Sequence, residues 1–363
     1  MNTTEEFIFM QHMKNIDVTF EDFARECMEL QTPESLSILY ATDIHYIRKY
    51  ALLTPAYYKL KEMVDFSGTI GADLLAITGD IVDGNNTIKR QYRDIFDCMN
   101  VLKKSKTTSV LLSKGNHDTC EWFAYKEKLN SENWLSSKDW YIHAINPLRV
   151  QYPMVLDTNN IDGGYYYIDF PLQKIRVINI NTSDTVNVTD ENGLLLKEYC
   201  SQWHLGMQEK QLKWLVESLT FESKGWSVIF MSHDFLCPIS ETEGIVSNGL
   251  LAWEIICAFK NGTKGTVKND DKYYQACVNY DFTGNKSNDV LTYMFGHVHK
   301  DTEFVKDGIT AISTVNILNS DKEWDNEESV ITGGWDFITV DKKTRIFKSK
   351  RYGVSGAERE ISL

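Results

Sequence analysis

Short apolar runs that break off at polar residues recur along the chain. Leu36 to Ala41 ends at Asp43, and Leu74 to Ile77 ends at Gly79-Asp80. Ser109 to Leu112 precedes Gly115, Trp226 to Met231 precedes His233, and Val290 to Phe295 precedes His297. Apolar runs of this length, bounded by turn residues, predict strands buried on both faces. Helical periodicity fills the spaces between them. Pro55 after Thr54 marks a helix start, Ile88, Tyr92, Ile95, Phe96 and Met99 share one face of a second helix, and Leu212, Leu215, Val216 and Leu219 share a face of a third. Ahead of them all, Phe20, Phe23, Ala24, Cys27 and Met28 predict an N-terminal helix reaching about residue 31.

Strands alternating with helices predict α/β layering, with ligands expected beyond the carboxyl ends of the strands. Two further segments read as hairpins, Tyr165 to Ile180 around Pro171-Leu172-Gln173-Lys174, and Trp335 to Phe347 around Asp341-Lys342-Lys343-Thr344. The sheet should therefore be mixed. No internal repeat or low-complexity tract interrupts the pattern, and the acidic stretch Asp321 to Ser329 reads as a solvated loop that could border a cleft.

Composition narrows the picture. A chain of 363 residues, 42% hydrophobic and 25% charged with six prolines, has the make-up of a compact globular protein of one or two domains. Its net charge of −13 disfavours an unaided nucleic-acid surface, although bound cations would reverse the sign locally. The seven cysteines, Cys27, Cys98, Cys120, Cys200, Cys237, Cys257 and Cys277, are widely spaced and form no C-x-x-C pair, which suits a reduced, intracellular chain. Met1 to Met13, with acidic Glu5 and Glu6, lacks a signal-peptide pattern, and no stretch reaches membrane-spanning length. A cytoplasmic protein without transmembrane anchoring is expected.

The polar residues after the strands carry the chemistry. In order they are Asp43-Ile44-His45, Gly79-Asp80-Ile81-Val82-Asp83, Gly115-Asn116-His117-Asp118, Ser232-His233 and Gly296-His297-Val298-His299. Each piece alone has an ordinary explanation as a turn with a solvated carboxylate or a hydrogen-bonded histidine. Five such pieces, each at the end of an apolar strand, point instead to one site. A mixed Asp, Asn and His set suits manganese, iron or zinc.

The ordered set D-x-H, G-D-x-x-D, G-N-H-D, S-H and G-H-x-H resembles the calcineurin-like metallophosphoesterase superfamily from Asp43 to His299. The resemblance implies a mixed β-sandwich flanked by α-helices in four αββα layers. It implies a catalytic domain over 36–353, with an N-terminal helical extension over 1–35 and a tail over 354–363. Asp43, His45 and His299 would bind one metal, Asn116, His233 and His297 a second, and Asp80 would bridge them, giving two divalent or transition ions. Attack would be in line by a metal-bridging hydroxide. His117 would be the general acid, Asp118 would orient and charge-stabilise its imidazole, and Asp83 would support the site from behind the ligands.

A leaving group that needs protonation, together with the acidic chain, favours a phosphodiesterase acting on a nucleotide or other small phosphodiester. A phosphomonoesterase or protein phosphatase with the same metals, or a binding module that keeps the fold without catalysis, are the alternatives. Oligomeric state and metal identity are not legible. Cys120 to Met154, with Trp122, Trp134, Trp140 and His143, reads as either a cap or ordinary packing. Tyr46, Tyr50 and Asn181-Thr182-Ser183-Asp184 are further candidates for the cleft wall.

Overall fold

The computed structural model describes residues 19–48, 55–239, 245–317, 333–353 and 358–363. Tyr50, Thr54, Met1 to Met13 and the acidic stretch Asp321 to Ser329 lie outside the described residues. In chain order the strands are β1 Ser35–Ala41, β2 Leu74–Ile77, β3 Ser109–Leu112, β4 Val155–Leu156, β5 Tyr166–Phe170, β6 Ile175–Ile180, β7 His204–Gly206, β8 Ser227–Ser232 and β9 Ile245–Ser247. They continue as β10 Lys264–Asn269, β11 Ala276–Asp281, β12 Asp289–Phe295, β13 Thr302–Lys306, β14 Ile309–Ser313, β15 Gly334–Asp341, β16 Ile346–Gly353 and β17 Arg359–Ser362.

Two mixed sheets carry the architecture. A six-stranded sheet has the order β17-β16-β15-β1-β2-β3, and a seven-stranded sheet the order β13-β14-β12-β8-β6-β5-β4. The expected hairpins are present as the antiparallel pairs β5–β6 and β15–β16. The segment 354–363, expected as a tail, contains β17, which completes an edge of the first sheet against β16.

The second sheet has a core on each face, which the two-residue side-chain period makes legible. Ile229 and Met231 of β8 face the first sheet, whereas Val228 and Phe230 face helices Glu209–Ser218 and Gly249–Asn261. The outer face of the first sheet is covered by helices Phe20–Leu30, Pro55–Ile70 and Ile88–Leu102, so the layers run helix, sheet, sheet, helix. Thr19 caps the first of these helices by accepting from the Asp22 amide. Phe23 of that helix packs on Phe66 and Trp335, with ring centroids 5.4 and 5.5 Å away. The N-terminal helix is thus part of the same core. Among the described residues, no helix is long and apolar enough to cross a membrane.

Parallel pairing is what positions the site. Ala41 sits beside Ile77 and Ile77 beside Leu112, so three polar loops leave the first sheet in register. Ser232 sits beside Phe295, which does the same for two loops of the second sheet. Both sets emerge at strand carboxyl ends and meet across the sandwich.

Candidate metal centre

Where β1 and β2 run out, main-chain hydrogen bonds lace their loops together. The Asp43 amide donates to Gly79 O at 3.1 Å and the His45 amide to Asp80 O at 2.8 Å. Five residues here adopt positive φ without being glycine: Asp43 (52°), His45 (45°), Asp80 (48°), His297 (67°) and His299 (55°). Left-handed backbone at non-glycine residues costs on the order of 1–3 kcal/mol each and persists where the surroundings over-determine it. Its effect is to turn successive side chains inward to a common point. The motif glycines follow from the same crowding. A Cβ on Gly115 would collide with the Asp80 carboxylate, and one on Gly296 with the Thr42 hydroxyl.

The side chains gather in two groups. Ligand atoms of Asp43, His45 and His299 lie within 4.8 Å of one another, and so do those of Asp80, His233 and His297. Asn116 joins the second group, with Oδ1 2.8 Å from His233 Nε2 and 3.1 Å from His297 Nδ1. Asp80 reaches both, its Oδ2 lying 3.3 Å from His233 Nε2 and 3.8 Å from His45 Nε2. Asp43, His45, Asp80, Asn116 and His233 are buried, while Asp83, His117, His297 and His299 are half-buried.

These contacts fit cations. In the pairs His45–His299 and His233–His297, ring nitrogens face each other at 3.1 Å and can share at most one proton. Donor atoms on one cation, each bonded at about 2.0–2.2 Å, necessarily stand about 3 Å apart. His233 Nδ1 donates to Thr78 O at 2.8 Å, which directs its Nε2 into the group.

The electrostatics match the crowding. Burial pushes the Asp43 carboxyl up, but the His299 hydrogen bond and charge, with His233, hold it down to about 2. Burial also opposes ionisation of Asp80, which His233 and His117 outweigh, keeping it well below the usual carboxylate range. Burial would lower His233, but the Asp80 carboxylate carries it to about 10. His45 falls to about 3 through burial and the charge of His117.

The contact expected between Asp118 and His117 is absent. The Asp118 carboxylate instead accepts the Val82 amide at 3.2 Å and the Gly115 amide at 2.8 Å, bracing two motif loops. Burial, and then the charge of Asp80, raise it to about 8. The His117 ring is held by the Asp83 main-chain carbonyl, 2.5 Å from Nδ1. Asp83 therefore supports the site through its backbone, while its carboxylate, raised by burial, stays within 4.8 Å of the His45 and His117 nitrogens.

Several other candidates are engaged in contacts of their own. Tyr46 is buried with its hydroxyl on Asp97, and Asp184 accepts from the Gln208 amide and side chain. Trp134 and Trp140 are buried, whereas Trp122 stacks edge-on with Trp203. Residues that no motif marks also reach the ligands: Thr42 donates to Asp43 Oδ2 at 2.6 Å, the Thr78 carbonyl binds His233, Gln202 binds Asn116, and the Asn316 side-chain amide lies 3.3 Å from His299 Nδ1. Only Thr42 had a sequence signal, its position beside Asp43.

A metal-dependent phosphoester hydrolase is the class that this fold and this cluster define. Residues 36–237, more than half of the chain, match the calcineurin-like phosphoesterase family, and the chain belongs to it. Similar folds include a dimetal phosphatase of Danio rerio, at 14% identity and TM-score 0.60, covering 90% of this chain and 98% of that one. The GAP50 anchor in the inner membrane complex of Plasmodium aligns at 12% identity and TM-score 0.46, covering 91% and 88%. The phosphopantetheinyl hydrolase of Mycobacterium tuberculosis aligns at 10% identity and TM-score 0.38, covering 78% and 91%. No curated protein sequence matches the chain.

Proposed function

We propose that the chain is a phosphodiesterase for a nucleotide or another small phosphodiester. In this reading Asp43, His45 and His299 would hold one cation, Asn116, His233 and His297 would hold a second, and the Asp80 carboxylate would serve both. Mixed oxygen and imidazole donors favour manganese, iron or zinc. When bound, such a pair acidifies water to supply hydroxide near neutral pH and neutralises charge on the phosphoryl oxygens.

The chain itself supplies the leaving-group proton. The observation that carries the reading is the locked His117 ring: with Nδ1 on the Asp83 carbonyl, Nε2 is left as the proton donor, edge-on to His45 with centroids 4.6 Å apart. A protonated imidazole placed there serves an alkoxide leaving group best, since that oxygen gains most from a proton as the bond breaks. A net charge of −13 supports a small substrate over a long polyanion, and seven free cysteines support a reducing, intracellular setting.

The test is hydrolysis of a bis-aryl phosphodiester and the matching aryl monoester by manganese-loaded protein, with Asp80→Asn beside it. The expected result is a diester rate above the monoester rate, and loss of both in the variant. A monoester preference would replace the diesterase with a phosphomonoesterase, and full activity in Asp80→Asn would refute the shared carboxylate.

A further inference from the structure

The geometry points to Gln202 as a positioning residue that fixes the amide orientation of Asn116 and thereby completes the second cation site, an inference that rests on Asn116 being a ligand. An asparagine can bind a cation only through its carbonyl oxygen, and its two amide ends have nearly the same shape. Which end faces the site is decided by what the other end meets. Here Oδ1 faces His233 and His297, while Nδ2 donates to Gln202 Oε1 at 3.4 Å. Turned over, the amide would point N–H groups at the ring nitrogens and leave two carbonyl oxygens facing each other. With Gln202 presenting its Oε1, as it does here, the ligating orientation of Asn116 is the favoured one.

Gln202 comes from a stretch of chain far from Asn116 in sequence, and a set of buried hydrogen bonds holds that stretch beside it. The buried Glu121 carboxylate accepts the Asn187 side-chain amide at 2.8 Å with one oxygen and the Ser201 main-chain amide at 2.7 Å with the other. One carboxylate thus pins both ends of the segment 187–201. Leu195 and Cys200 of the segment pack on Ala124 and Trp134. Ser201 then donates its hydroxyl to Asn116 O at 3.1 Å, where Thr119 also donates at 2.8 Å, so main chain and side chain of the ligand are held together. Ligand-supporting hydrogen bonds of this kind typically change metal affinity about 10–100-fold when lost.

The test titrates manganese into metal-free Gln202→Leu, Gln202→Glu, Asn116→Ala and the unaltered protein, reading stoichiometry by equilibrium dialysis and paired ions by electron paramagnetic resonance. Because position 202 is half-buried in a turn, both substitutions there should leave the fold intact, which circular dichroism checks. In Gln202→Leu the first ion should bind as in the unaltered protein, the second should weaken about 10–100-fold, and the coupled signal should fade. Gln202→Glu, which keeps an acceptor, should retain the pair. Equal retention or equal loss in the two variants would overturn the role of Gln202. If Asn116→Ala bound both ions unchanged, the ligand assignment beneath the inference would fall instead.

Discussion

At the residue scale, His117 carries the sharpest prediction. Its ring is oriented by a main-chain carbonyl and lies edge-on to His45, so replacing it removes a proton donor while leaving every proposed ligand side chain in the sequence. His117→Ala should keep manganese content and slow an alkyl-leaving-group diester by about 10²-fold or more, the usual range for general acid catalysis. A nitrophenyl leaving group, already stable as the anion, should be affected far less. Paired kcat measurements on the two esters check this, and equal slowing would remove His117 from the role. The candidate residues that the fold gathers were legible because each sits within a few positions of a strand end and is a ligand type. The partner of His117 was not, because a main-chain carbonyl has no residue identity, and the Asp118 carboxylate that the family resemblance offered in that role accepts buried main-chain amides instead.

At the element scale, the N-terminal helix Phe20–Leu30 shows how an apparent extension becomes core. Phe23 is 1% exposed and meets the rings of Phe66, Trp335 and Tyr352 from another helix and two strands. Phe23→Ala should cost about 3–5 kcal/mol, whereas Met28→Ala on the same helix, 49% exposed, should stay within about 0.5 kcal/mol. Urea midpoints for the two variants decide it, and equal shifts would mean that the helix does not dock on this core. Its helical period was readable because one face is apolar. Helix Gly249–Asn261 was not readable, since the run Gly-Leu-Leu-Ala-Trp-Glu-Ile-Ile-Cys-Ala-Phe is apolar nearly all round and leaves no polar face to set the period. Position 202 was illegible for a different reason: it acts across 86 residues, through a fold that the sequence does not display locally.

At the scale of the whole molecule, the proposed ligands divide between the sheets. Asp43, His45, Asp80 and Asn116 follow strands of the first sheet, and His233, His297 and His299 follow strands of the second. Cations held by both sets would tie the two halves of the sandwich at the point where positive-φ residues and facing ring nitrogens make the protein least content alone. Binding to the folded state only adds RT ln(1 + [L]/Kd), about 2.7 kcal/mol per site when the free ion is at a hundredfold its Kd. Two sites filled to that degree, in a chain of this length, should raise the thermal midpoint by on the order of 5–10 °C. Chelation should therefore lower the midpoint by that amount, and manganese should restore it. Asp80→Asn, lacking the shared carboxylate, should show a much smaller response to either. Scanning calorimetry of both proteins with and without chelator reads the difference, and an equal response in the two would mean that Asp80 does not join the sheets through metal.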